Sequence, residues 1–276
     1  MTAPHAVVTG AASGLGAAIA QELASHGWNV TGVDLQEEEL GRHLGDLAAT
    51  YGVRTRSIAG DLGDAGFAAS VVPTAWADAP VDGLVNAAGI YPAIGFFDLT
   101  AEDWNRVQNV NVLAPLLATQ ALGRLAIAAG RPAAVVNIAS GAANRARPGA
   151  AHYSTSKAAL VMVTKATAIE LGGAGIRVNA VSPGFFRVES AVNPVTEEYA
   201  DLLSGTVLPG PARPASVGAA VHFLLGEGAR WIHGAVIPVD GGSSAGTTAL
   251  PQHWEEQTGW QSGHRPAPHN HEETSP

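Results

Sequence analysis

His5-Ala6-Val7-Val8-Thr9-Gly10-Ala11-Ala12-Ser13-Gly14-Leu15-Gly16 is the stretch on which the fold turns. It opens with a short apolar, β-branched run, the composition of a buried strand. Glycines follow at the spacing Gly-x3-Gly-x-Gly. Leu15, Ile19 and Leu23 then recur at helical spacing until Gly27. Strand, glycine turn and helix in that order make the first unit of a parallel sheet with crossover helices. Glycine lets a backbone turn sharply and come close to a ligand. The free amides and positive dipole end of the helix that follows suit a pyrophosphate. A plain tight turn is the competing reading.

The same rhythm continues. Short β-branched runs near 5–9, 28–34, 53–58, 83–86, 133–140, 176–182 and 235–239 alternate with longer alanine- and leucine-rich runs. This pattern predicts an α/β fold with a doubly wound, seven-stranded parallel sheet between two helix layers, three layers in all. One long helix is expected from Thr100 to about Ala129, opened by Thr100-x-x-Asp103 as a capping box. No repeat or linker divides residues 1–246, so a single domain is expected there. Residues 247–276 form a polar extension whose last part is expected to be mobile. Trp254 and Trp260 are candidate anchors for its first half. His264, His269 and His271 lack ligand spacing, so no metal is expected.

Hydrophobic residues make up 46% of the 276-residue chain and charged residues 14%, which excludes general disorder. Net charge is -9 with no basic run, so no nucleic-acid partner is expected. Cysteine is absent, which removes disulfides and thiolate chemistry. There is no signal-like N-terminus, and no apolar run reaches the roughly 18 residues of a membrane span. A cytoplasmic protein without membrane association is expected. The low charge suggests surface covered by sister subunits.

Chemistry-bearing residues fall at strand ends. Val33-Asp34 closes the second strand, about 20 residues past the glycines, where an acid hydrogen-bonds a ribose and repels a 2′-phosphate. No arginine or lysine lies in the glycine turn or directly after Asp34. NAD rather than NADP is the expected cofactor. Asp61 could accept from an adenine amino group or cap the next helix. Asn86-Ala87-Ala88-Gly89 ends the fourth strand with small residues, and an apolar loop, Ile90 to Phe97, follows. Tyr91, Ile94 and Phe96 are candidate pocket residues there. Asn111 in mid-helix could hold a water or make a structural hydrogen bond. Ser140 ends the fifth strand, where a hydroxyl can donate to a carbonyl oxygen. Tyr153 and Lys157, four residues apart, share one helix face. A nearby ammonium lowers a phenol's pKa and fits it for general acid or base work. His152 is adjacent in sequence but points about 100° away.

Gly10-x3-Gly14-x-Gly16, Asn86-Ala87-Ala88-Gly89, Asn111, Ser140, Tyr153-x3-Lys157, Val178-Asn179-Ala180-Val181-Ser182-Pro183-Gly184 and Val239-Asp240-Gly241-Gly242 come in one order. In that order and spacing, residues 5–245 resemble the short-chain dehydrogenase/reductase family in its single-domain type. The resemblance implies a Rossmann-like fold and a tetrad of Asn111, Ser140, Tyr153 and Lys157. In it Tyr153 is the general acid/base and Ser140 polarises the substrate oxygen. Lys157 tunes the tyrosine and bonds the nicotinamide ribose, and Asn111 holds a relay water. It implies cofactor contacts at Gly10, Ser13, Gly14, Leu15, Gly16, Asp34, Asp61, Leu62, Asn86, Ala87, Gly89, Tyr153, Lys157, Pro183, Gly184, Phe186 and Val188. It also implies a homo-oligomer, a tetramer before a dimer.

The chain departs from the family where many relatives carry threonine and this one has Val188, which cannot donate to a nicotinamide carboxamide. Arg187 beside it could meet a phosphate. A substrate lid is expected over residues 185–213. Its apolar residues, with Tyr91, Ile94, Phe96, Ala142, Phe185 and Val192 as the expected pocket, suit a cyclic or aromatic secondary alcohol. Arg145 and Arg147 could meet a substrate carboxylate or be solvated. The reading is an NAD-dependent interconversion of a secondary alcohol and a ketone. The alternatives are an NADP-linked ketoreductase of a biosynthetic pathway and a non-catalytic dinucleotide-binding regulator.

Overall fold

Seven parallel strands form one sheet in the order β3-β2-β1-β4-β5-β6-β7 in the computed structural model, which describes residues 3–186, 206–209 and 213–246. The strands are β1 His5–Thr9, β2 Asn29–Asp34, β3 Thr55–Ala59, β4 Gly83–Asn86, β5 Ala133–Ile138, β6 Ile176–Pro183 and β7 Val236–Val239. Each lies within about two residues of its expected place, the usual uncertainty of an element's end. Expectations at Arg187, Val188 and Val192, most of the lid and the 247–276 extension lie outside the described residues.

β1 is the pivot. Val7 stands opposite Thr31 of β2 on one side and Leu84 of β4 on the other. The chain runs outward through β2 and β3, then crosses back to start β4 beside β1. A crevice therefore opens at the carboxyl ends of β1 and β4, the topological switch point where ligands bind in such sheets. Every residue of β1, β4 and β5 is buried. Burial on both faces explains why these strands read as unbroken apolar runs rather than alternating ones.

Helices α1 (Gly14–Ser25), α2 (Glu37–Tyr51) and α7 (Pro214–Leu225) belong to one apolar cluster, in which Ile19, Leu23, Leu40, Leu44, Val217 and Leu224 are buried. Helices α3 (Ala65–Trp76), α5 (Ala114–Ala128) and α6 (Ala151–Gly172) contribute to the other, with Val71, Val72, Leu122 and Ala168. The expected capping box at Thr100 is present, its side chain accepting from Asp103 N at 3.1 Å.

The long helix expected from Thr100 is not uniform. It runs as α4 (Ala101–Gln108), a π turn (Asn109–Leu113) and α5. Pro115 gives a reason. It has no N–H to offer the Asn111 carbonyl four residues back, and its ring crowds that oxygen in a regular α-helix. Ala101–Ala128 is long and apolar enough by composition to cross a membrane. Ala114, Ala118, Leu122 and Ala126 are buried in the second cluster, and that core role accounts for its apolarity.

Candidate active site

Two adjoining cavities follow the carboxyl edge of the sheet. One, of about 220 Å³, is lined by the glycine turn from Gly10 to Gly16, by Asp34, Asp61 and Leu62, and by residues 87–91. The other, of about 520 Å³, holds Ser140, Tyr153 and Lys157 against Pro183, Gly184, Phe185 and Phe186. Leu15, Ala87, Gly89 and Tyr91 line both, so the two are one continuous crevice.

The glycine turn is built for packing within the protein as much as for a ligand. A Cβ on Gly16 would stand 2.0 Å from the Gly10 carbonyl oxygen, and Gly10 itself has φ +71°. Ser13 occupies the N-cap of α1, yet its side chain makes no cap hydrogen bond. The first-turn amides of α1 therefore lack the usual side-chain acceptor and border the crevice, which fits an anionic phosphate. Thr9 joins the ends of β1 and β4, its hydroxyl accepting from Ala87 N and Ala88 N at 3.0 Å each. Asp34 is fixed at the crevice wall. One carboxylate oxygen accepts from Ala12 N at 3.0 Å and the other from Gln36 N at 3.1 Å.

Tyr153 and Lys157 share a face of α6, with Nζ 5.8 Å from the centre of the phenol ring. The Tyr153 and Ser140 side chains are hydrogen-bonded. Ser140 Oγ also accepts from Ala142 N at 3.1 Å, which fixes its position at the end of β5. The Tyr91 ring lies 5.4 Å from that of Tyr153, and the Arg147 guanidinium carbon 5.8 Å from its centre. Lys157 Nζ donates to the Ile138 carbonyl at 2.8 Å and is only 4% exposed. His152 points elsewhere, its Nε2 hydrogen-bonded to the Pro92 carbonyl at 3.0 Å.

The electrostatics correct one expectation. The Tyr153 phenol titrates above its ordinary value, not below it. Burial disfavours the phenolate most strongly, and the Ser140 hydrogen bond and the Arg147 charge only partly offset it. Burial also pushes the Lys157 ammonium down to about 8.

Asn111 is fully buried and heavily committed. Its Oδ1 accepts from Ile90 N at 2.9 Å, and its Nδ2 donates to Ile90 O and Ser156 Oγ at 3.0 Å each. The structural alternative thus fits the side chain. From the side chain, a relay water would meet only the second lone pair of Oδ1. Asn86 also turns inward. Its Nδ2 donates to Asn137 Oδ1 at 2.8 Å across β4 and β5, and its side chain lines neither cavity. Asp61 does not cap α3; Asp64 does, accepting from Phe67 N. Ile94 and Phe96 do not line the crevice. Ile94 N is tied to the Gly149 carbonyl, and Phe96 stands 73% exposed, edge-on to Phe97. Tyr91, Ala142 and Phe185 do line the larger cavity.

Several lining residues escape local sequence reading, three of them polar and distant in sequence from the motifs beside them. Asp240 and Ser243 arrive from the turn after β7 and Arg106 from the end of α4. Only the Val239-Asp240-Gly241-Gly242 motif marked that turn; nothing local marks Arg106.

Known proteins share this architecture. The family model described as enoyl-(acyl carrier protein) reductase matches residues 10–244. D-threitol dehydrogenase of Mycolicibacterium smegmatis is 37% identical, over 86% of this chain and 91% of its own. Cyclopentanol dehydrogenase of Comamonas is 33% identical, over 87% and 96%. A short chain dehydrogenase from Burkholderia cenocepacia, solved in complex with NADP, superposes with a TM-score of 0.78 at 33% identity and covers 86% of this chain and 96% of its own. With the parallel sheet, the glycine turn and the Ser140–Tyr153–Lys157 cluster at its switch point, these matches make the chain a member of the short-chain dehydrogenase/reductase family and an oxidoreductase of its alcohol dehydrogenase kind.

Proposed function

We propose that the protein is an NAD-dependent oxidoreductase that interconverts a secondary alcohol and a ketone, with Tyr153 as general acid/base. The observation that carries this is the position of Tyr153. It stands beside Ser140 and Lys157 in the cavity that continues the glycine-turn crevice. The dinucleotide supplies the hydride acceptor or donor. The first-turn amides of α1 would hold its pyrophosphate, Asp34 its adenosine ribose and Lys157 its nicotinamide ribose. Ser140 donates to the reacting oxygen, and Tyr153 gives that oxygen a proton in reduction or takes one in oxidation. Ile138, Ala142, Phe185 and Phe186 offer an apolar wall to a cyclic or aromatic alcohol, a reading the cyclopentanol relative supports. Arg145 and Arg147 line the same cavity, so carboxylate-bearing alcohols belong among the substrates tested.

The choice of NAD rests on the fixed carboxylate of Asp34, which would repel a 2′-phosphate. The NADP complex of the Burkholderia relative favours a second reading, an NADP-linked ketoreductase. Fluorescence titration with NADH and NADPH, followed by turnover on cyclic and aromatic alcohols, separates the two. Tighter binding of NADH, with the preference relaxed in Asp34→Ala, is expected; tighter NADPH binding would overturn the assignment. A homo-oligomer is also inferred, a tetramer before a dimer. Met162 and Ile169, seven residues apart on one face of α6, are 62% and 83% exposed and support it.

A further inference from the structure

Arg106 reaches the crevice from a distance. It lies near the end of α4, yet it lines the smaller cavity with Asp34, Asp61 and the glycine turn. Its Nη1 donates to Asp61 Oδ2 at 2.8 Å, while Asp61 Oδ1 accepts from Gly63 N at 2.7 Å. Each carboxylate oxygen is held by one donor and keeps a second lone pair. Gly63 makes the arrangement possible: a Cβ there would stand 1.8 Å from Arg106 Nη1. The pair is 44% and 43% exposed on its two sides, and ion pairs so exposed add little to folding. Global stability therefore does not account for it.

The tyrosine end of the crevice takes the reacting half of the dinucleotide, so the adenosine half falls at the end walled by Asp34 and Asp61. We infer that Arg106 is a positioning residue for cofactor binding, fixing the Asp61 carboxylate so that its remaining lone pairs face the adenosine. This rests on the dinucleotide reading above. Arg106 also holds the Asp61 carboxyl below its ordinary range, first through their hydrogen bond. Without Arg106 the carboxylate would be tied only to its own loop and free to turn toward solvent.

The test compares Arg106→Ala, Arg106→Lys and Gly63→Ala for binding of NADH and of ADP-ribose, which carries the adenosine and lacks the nicotinamide. Losing one charge-assisted contact of this kind corresponds to about tenfold in affinity. Arg106→Ala is expected to weaken both ligands by the same factor of about ten. Gly63→Ala should reproduce the loss by displacing the guanidinium, and Arg106→Lys should recover most of it. In steady-state turnover the effect should fall on KM for NAD rather than on kcat. Unchanged ADP-ribose affinity in Arg106→Ala, or failure of lysine to rescue, would overturn the inference. A wild-type protein that bound neither NADH nor NADPH would instead overturn the dinucleotide reading itself, and this inference with it.

Discussion

Tyr153 carries opposing influences that can be separated by mutation. Burial raises its pKa, while Ser140 and Arg147 lower it. Alcohol oxidation requires the phenolate, so its rate rises with pH through the Tyr153 pKa; ketone reduction requires the phenol and falls over the same range. Arg147→Ala removes one of the lowering influences. The oxidation limb of the kcat–pH profile is expected to move to higher pH, and Arg147→Lys to move it back. An unmoved profile, or one shifted toward acid, would show that the charge 5.8 Å from the ring does not act on it. At this scale the Tyr153–Lys157 pair was legible because four-residue spacing on a helix fixes a shared face. The sign of the tyrosine shift was not, because it depends on burial that no local pattern encodes. Asn86 misled for a related reason. A strand-end residue can face the crevice or the interior, and Asn137, in register on β5, takes up the Asn86 amide.

Elements place these residues. The turn between β1 and α1 closes so tightly that Gly16 lies against the Gly10 carbonyl. Gly16→Ala must push main chain apart, since no flexible side chain is there to yield. A destabilisation of about 2 kcal/mol is expected from overpacking of this kind, with weakened NADH binding. Chemical denaturation and the NADH titration together check it; a stability within about 0.5 kcal/mol of wild type would mean that the turn relaxes freely. The sheet was readable from apolar runs and glycines, and the start of α4 from its capping box at Thr100. The π turn was not read, although Pro115 is its local signal: a proline inside a helical run deprives the carbonyl four residues earlier of its donor. That break carries Asn111, whose side chain joins the loop at Ile90 to Ser156 of α6. The same helical run thus presents Arg106 to the Asp34–Asp61 end of the crevice and buries Asn111 between the Ile90 loop and α6. Local reading misses the first because its partner Asp61 lies 45 residues away.

Across the whole molecule, a chain of net charge -9 gathers basic groups in the larger cavity, where among the described residues Arg145, Arg147 and Lys157 meet one acid, Asp240. Asp240 is already engaged, its carboxylate accepting from Gly242 N and Ser244 N at 2.9 and 3.0 Å. The low share of charged residues and the exposed Met162 and Ile169 of α6 bear on assembly. Multi-angle light scattering is expected to give four times the chain mass, with a dimer as the lesser outcome; a monomer at micromolar concentration would contradict the inferred oligomer. Substituting Met162 and Ile169 by charged residues should lower the assembly state, if their face is covered by a sister subunit. The substrate is less legible than the fold, because specificity is set by the side chains of a site rather than by topology.

The most direct test of the proposed chemistry is single-variant kinetics on Tyr153→Phe, which removes one oxygen and leaves the ring in place. Alcohol oxidation with saturating NAD should fall by about a thousandfold, the range of a general acid/base contribution, while NADH affinity stays within a few-fold of wild type. Turnover retained within a few-fold would show that another group moves the proton and would contradict the assignment of Tyr153.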